Sequence, residues 1–219
     1  MKFLVDTNPP ALRSLAEAHP NFVAGQLLCP VHGRSNWGGA FAMDNSSFTK
    51  FDAGAFMRMQ KRNADAKDRC LFVTCPDIVG SMRRTLEVWR HRERFAAGFP
   101  LTLVLQNGAE DLDIPWHETQ AIFIGGVDPW KESNACRDLI KTAKVFGLHV
   151  HCGRVNQIKR FEYMAEQGVD TCDGSGAARF GFGQLLQIVS ETNGKQQRTL
   201  FREEHQAGTD ARPTAEVEV

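Results

Sequence analysis

No apolar run in this chain approaches the roughly 18 residues that a membrane-crossing helix needs, so an ordinary transmembrane helix is excluded. Nor is there a surplus of charge of one sign: 26 lysines and arginines balance 26 aspartates and glutamates. No global field favours a polyanion, and any nucleic-acid contact must come from local patches. The opening residues, MKFLVDTNPPALRSL, meet acid and proline early and lack the character of a signal peptide. A glycine-rich phosphate loop is also missing before the late Gly174-Ser175-Gly176, a weak candidate for a phosphate-sugar barrel enzyme. Six cysteines are present, but without an export signal a disulfide framework is a weak reading. Cys70 and Cys75 bound the run CLFVTC. On a strand they would lie about 16 Å apart, at ~3.3 Å per residue, too far to bridge. The reduced cytoplasm is the expected compartment, with no membrane as partner.

What is there suits one sizeable core. The chain has 219 residues, 42% of them hydrophobic and 24% charged, which excludes a wholly disordered or fibrous protein. Short apolar runs recur at 3–6, 41–44, 71–77, 101–106, 121–126, 149–154 and 169–173. Most are continuously apolar, as strands buried on both faces of a parallel sheet are. Helical patterns separate them. Residues 80–97 align Met82, Leu86, Trp89 and Ala96, residues 132–146 align Cys136, Leu139, Ile140, Ala143 and Phe146, and residues 156–167 align Ile158, Phe161, Met164 and Ala165. This β-α alternation fits a (β/α)8 barrel or a doubly wound sheet. The strand ends favour a TIM-like α/β barrel, compact or short of a strand, because the eighth strand is not evident and Phe22–Cys29 offers only something irregular. The expected division is one barrel over 1–190 and a charged, partly ordered tail over 191–219.

The strand ends are polar throughout: Asp44-Asn45, Asp77, Gln106-Asn107-Gly108, Gly125-Gly126, Gly153-Arg154-Val155-Asn156 and Asp173-Gly174. In a parallel α/β fold these ends converge on the face that carries active sites. Each has a plain alternative, since an Asp after a strand commonly caps the next helix and a glycine commonly turns the chain. As a set they form a ring of acceptors and donors that suits the hydrogen-bonding edge of a purine. Asp44 and Asp173 could divide nucleophilic and acid/base duties in glycosyl transfer, a scheme that needs no cofactor and no metal.

The order AMDNSSF (42–48), TCPDIVG (74–80), LVLQNG (103–108), FIGG (123–126), HCGRVN (151–156) and GVDTCDGSGAARFG (168–181) resembles the tRNA-guanine transglycosylase superfamily. It is most similar to the small phage and bacterial branch of DNA deazaguanine transglycosylases. The resemblance spans about residues 40–182 and implies a barrel enzyme that exchanges guanine in DNA for a 7-deazaguanine base such as 7-cyano-7-deazaguanine. By position, Asp44-Asn45-Ser46-Ser47-Phe48 matches the family's Asp-Ser-Gly-Gly-Phe, which makes Asp44 the proton-handling acid; both glycines are serines here. Asp77 takes the place of the base-recognising Asp. Gln106 and the Gly125-Gly126 pair match residues that line the base pocket. Asp173, following Gly168-Val169-Asp170, takes the place of the nucleophile, with Arg179 the other match in that run. The family's tRNA-acting members add a zinc site of three cysteines and a histidine after the nucleophile. No cysteine follows Cys172, so that subdomain is absent from this sequence and DNA is favoured over tRNA.

The remaining features are read from the residues alone. Cys29-Pro30-Val31-His32 has the spacing of a ligand pair, but two ligands do not make a zinc site, and a chance loop pair is the expectation. His151 is expected to share its side of the strand with Gly153 and touch ligand, and His149 to pack away from the mouth. Arg154 and Asn156 are candidates for holding a phosphate beside a flipped nucleotide. Trp116 and Trp130 are read as mouth-loop residues that either stack on a base or anchor a loop. The basic stretches Arg83–Arg94 and Arg58–Arg62 read as solvated helix faces. With no net charge, tight unaided binding to DNA is not expected, so a protein partner or a homodimer is. The rival functions are an N-glycosidase using the same acids with water, and a non-catalytic nucleic-acid-binding subunit.

Overall fold

Continuous apolar runs become strands because both of their faces are covered. In the computed structural model, which describes residues 1–174, 183 and 185–195, eight parallel strands close into a barrel in chain order. They are β1 (Lys2–Val5), β2 (Val23–Leu28), β3 (Phe41–Met43), β4 (Cys70–Thr74), β5 (Leu101–Leu105), β6 (Ala121–Ile124), β7 (His149–Cys152) and β8 (Thr171–Cys172). The expected barrel is present and it is complete. The alternative of a missing strand is overturned by β2, which pairs with β1 through Phe3↔Val23 and with β3 through Gln26↔Phe41. Its pattern is irregular for two local reasons. A Cβ at Gly25 would lie 2.1 Å from the Ala40 carbonyl oxygen, so only glycine fits there. The buried Gln26 amide ties down the following loop, donating to Thr7 and Ser35 carbonyls at 3.0 Å and accepting from the Trp37 N–H.

The helices are α1 (Pro9–Ala18), α2 (Ala53–Arg62), α3 (Met82–Trp89), α4 (Glu93–Ala96), α5 (Asp128–Lys131), α6 (Asn134–Val145) and α7 (Ile158–Glu166). The side chains of Asn8, Asp52, Ser81 and Ser133 cap α1, α2, α3 and α6 by accepting from a first-turn N–H. The apolar stretch 80–97 is two helices rather than one, α3 and α4. No regular helix crosses from β2 to β3, and the β5–β6 crossing contains only short 3-10 turns. Residues 185–195 are helical and bury Leu185, Ile188 and Val189. The rest of the expected tail lies outside the described residues.

Strand alternation splits the core into two layers. Leu101, Leu103, Leu105, Ile122 and Ile124 face outward and meet the helices, where Ile140, Ala143, Phe161 and Met164 are buried. Leu4, Leu27, Ala42, Phe72, Val104 and Phe123 pack inside the barrel. Phe72 is fully buried, with its ring 5.1 Å from that of His151 and 6.5 Å from that of Phe123. All six cysteines are free and buried. Among the described residues no helix is long and apolar enough to cross a membrane. Phe72 fills the barrel interior from one wall to the other, so Phe72→Ala should cost about 3–5 kcal/mol. A urea unfolding curve should show that loss as a lower midpoint.

Candidate active site

The carboxyl ends of the strands open into a cavity of about 540 Å³, a volume suited to a nucleoside-sized ligand. Asp44, Asp77, Gln106, Gly125, Arg154 and Asp173 all line it. Six residues expected from separate strand ends therefore meet at one mouth.

Asp173 follows β8 directly and is held by its neighbours. Its Oδ2 lies 3.0 Å from His151 Nε2, and its Oδ1 accepts the Arg154 N–H at 3.0 Å. Burial pushes this carboxyl up, but the hydrogen bond and charge of His151, the Arg154 N–H and the Lys131 ammonium outweigh it. The net result holds Asp173 below the ordinary carboxylate value, and so ionised. Behind it runs a chain of hydrogen bonds. His151 Nδ1 lies 2.9 Å from Thr171 Oγ1, and the same hydroxyl lies 2.8 Å from His149 Nε2. His151 is fully buried and does not line the cavity. Its place is that of a positioning residue behind Asp173 rather than a direct ligand contact. A Cβ at Gly153 would meet the Phe123 ring at 2.7 Å, so glycine there lets β7 pass close beside the mouth.

Asp44 follows β3 and has the opposite environment. Burial, and then the charges of Asp173 and Asp77, push its pKa up to about 7, against a backbone hydrogen bond from Ser46 and the Thr74 hydroxyl. Ser46 has φ 62°, in the left-handed region that favours glycine. A serine thus holds a glycine-like backbone at this strand end.

Asp77 is braced on both oxygens. Asn45 Nδ2 donates to Oδ1 at 2.9 Å and Gln106 Nε2 donates to Oδ2 at 2.7 Å. Gln106 is itself fixed, since its Oε1 accepts the Gly80 N–H at 3.0 Å. Burial nevertheless raises Asp77 above the ordinary value. Gln106 therefore acts mainly by orienting Asp77.

Arg154, also at positive φ, donates from Nη2 to the carbonyls of Gly125 (3.0 Å) and Gly126 (2.8 Å) and stacks over the exposed Phe48 ring at 4.2 Å. It braces the Gly-Gly turn as well as lining the mouth. Gly126 packs on Trp130 away from the cavity, and Asn156 sits against Gly174 outside the lining. Arg179 lies outside the described residues, as do Ser175 and Gly176.

Neither tryptophan lines the cavity. Trp130 is buried and donates from Nε1 to Glu110 at 2.9 Å, a loop anchor. Trp116 stacks on Phe146 at 5.9 Å, just before β7 begins, so it belongs to the opposite end of the barrel and the mouth-loop placement is corrected.

Some site residues carried no expectation. Asn45 was visible only as part of a polar strand end. Lys131 is fully buried, with Nζ 2.6 Å from the Gly153 carbonyl and its pKa lowered by burial. In the sequence it stands in Asp-Pro-Trp-Lys and looks like an ordinary surface lysine. Asp6, for which the sequence carried no expectation, also lines the mouth, together with Cys29 and His32, the pair expected to be a chance loop feature.

No family model matches the chain, and no curated protein matches it either. The likeness in motif order therefore stands on this chain's own residues.

Asp44 supplies a stability test. Its folded pKa is raised, so its contribution is fully present below the unfolded value of 3.8 and is lost as pH rises through about 7. Asp44→Asn removes that loss. Thermal melts should show the variant gaining stability over the parent above neutrality, with the gap closing toward acid pH.

Proposed function

We propose that the protein is a glycosyl-transfer enzyme that exchanges guanine in DNA for a 7-deazaguanine base. The observation that carries this reading is that two carboxylates of one cavity stand in opposite environments: His151, the Arg154 N–H and Lys131 hold Asp173 below the ordinary carboxylate range, while burial and the neighbouring acids raise Asp44 to about 7. Such a pair is what double displacement at an anomeric carbon requires. The order of motifs along the chain supports the choice of base and polymer.

In the first half-reaction a target nucleotide leaves the stack and enters the mouth. An Asp173 oxygen attacks C1′ and forms a C1′–O bond as the bond from C1′ to guanine N9 breaks. The electron pair leaves with the base, and Asp44 gives its proton to that base. In the second half, Asp44, now a carboxylate, takes the proton from the ring nitrogen of the incoming base. That nitrogen attacks C1′, the ester bond breaks, and Asp173 is released as a carboxylate. Two inversions keep the anomeric configuration. A pKa of about 7 lets Asp44 act as acid and then as base without a large driving-force penalty in either direction.

Asp77 is suited to reading the base. Asn45 and Gln106 hold its two oxygens in fixed directions, and each oxygen keeps a further lone pair for an N–H of a purine edge. The balanced net charge leaves phosphate contacts to a protein partner or a second copy of the chain.

DNA and tRNA, each incubated with the protein and 7-cyano-7-deazaguanine, should be digested and their nucleosides weighed. The expected product is a deazaguanine nucleoside in DNA alone, absent with Asp173→Ala and slowed about 10²–10⁴-fold with Asp44→Asn. Product in tRNA would transfer the reading to RNA. Free guanine without exchange would mean hydrolysis. Undiminished function in Asp173→Ala would overturn the catalytic assignment. The wild-type kcat/KM should also fall as pH rises past about 7, where Asp44 loses the proton the first half-reaction needs.

A further inference from the structure

A second group of side chains at the mouth has ligand chemistry that base exchange does not use. Asp6 directly follows β1, Cys29 directly follows β2, and His32 lies three residues beyond Cys29. Because β1 and β2 are paired parallel neighbours, both strands deliver these residues to the same end of the barrel. One ligand atom from each, a carboxylate oxygen, the thiol sulfur and an imidazole nitrogen, can be chosen so that all lie within 4.8 Å of one another. His32 Nδ1 is hydrogen-bonded to Asp6 Oδ2. Arg34 Nε donates to the other oxygen, Oδ1, at 2.6 Å, which fixes the carboxylate with Oδ2 toward His32. Cys29 is buried while His32 is exposed, so the group spans from the cavity wall to solvent.

A Cys-x-x-His pair alone would be a chance occurrence. What changes the reading is an acid from a different strand, placed on the same point and already oriented by an outer partner. Metal ligands are held by just such outer partners. A thiolate, an imidazole and a carboxylate form a mixed set that suits zinc, and three protein ligands with a free fourth position is the arrangement of a reactive zinc rather than a structural one. The same cavity wall carries the ionised Asp173, and the nearby Arg34 guanidinium is paired with Asp6 Oδ1, leaving Oδ2 on the side of His32.

We propose that Asp6, Cys29 and His32 form a binding site for a divalent metal of the zinc class, with its free coordination position turned to the cavity for a water or an anionic oxygen. The site is independent of the base-exchange reading. Binding replaces the Cys29 S–H proton, which is released to solvent, by a metal–thiolate bond, with no change of oxidation state.

The test uses the full chain, stripped with a chelator and desalted, and then given zinc or cobalt alone. One zinc per chain should survive desalting. Cobalt should give a thiolate-to-metal charge-transfer band in the near ultraviolet. Cys29→Ser should abolish that band, and Cys70→Ser, at the far end of the barrel, should keep it. His32→Ala, at an exposed position, and Asp6→Asn should each weaken zinc binding by at least the 10–100-fold that loss of an outer partner typically costs. Circular dichroism and melting curves establish that each variant is folded. Absence of retained zinc in the folded wild type would overturn the proposal. So would uptake that Cys29→Ser and His32→Ala leave unchanged, or a band lost with Cys70→Ser instead.

Discussion

Closure of the barrel through its shortest strand is the constraint on which the mouth depends. β8 has only Thr171 and Cys172, yet it pairs on both sides, Lys2↔Thr171 and Phe3↔Cys172 with β1, and His151↔Thr171 and Cys152↔Cys172 with β7. Asp173 is the next residue. Its N–H donates to the Cys152 carbonyl at 3.2 Å and its own carbonyl accepts from Val155 at 2.6 Å. The backbone of the proposed nucleophile is therefore set by the ladder itself, and its side chain emerges at the rim without the freedom of a loop residue. Positioning of this kind is what covalent catalysis needs, because small displacements of a reacting group cost large factors in rate.

The same register explains how neighbouring acids come to differ. Thr171 and His151 are paired across β7 and β8, so their side chains share a face and the hydroxyl meets the imidazole. That contact orients the ring and aims Nε2 at Asp173. Lys131, buried behind Gly153, adds positive charge on the same side. Asp44, delivered by β3, receives no such cation and feels the charge of Asp173 instead. One carboxylate is thus kept ionised at the expense of its neighbour, a division that follows from which strands lie next to the histidine.

Much of this was legible in the chain. Continuous apolar runs ending in polar residues identified seven strands and the acids Asp44, Asp77 and Asp173. β2 was obscured because Gly25 and Gln26 interrupt its apolar run, one to admit the Ala40 carbonyl and the other to anchor a loop. Trp116 was misplaced because the β5–β6 crossing lacks a regular helix, so no periodicity marks where the chain turns back toward the bottom. For Gln106, His151 and Arg154 the neighbourhood was readable and the partner was not. Each satisfies a protein group, namely Asp77, Asp173 or the Gly125-Gly126 carbonyls, and such pairings between distant strands leave no local pattern. Lys131 left no trace at all, since burial of a lysine depends on a carbonyl 22 residues away.

Departures from favourable local chemistry also concentrate at this end of the barrel. Ser46 and Arg154 hold left-handed backbone, Asp44 bears a carboxyl whose ionisation is suppressed, and Lys131 keeps an ammonium away from water. Away from the rim, side chains cap four helices, the barrel separates two core layers and the cysteines are small buried hydrophobes, while Ala97, at the end of α4, is a third non-glycine residue at positive φ. A chain selected for stability alone would have no cause to gather strain and uncomfortable charge on one rim. Their concentration around a single cavity argues that the rim is where this protein works, because such costs persist where the surrounding structure enforces them and function uses them.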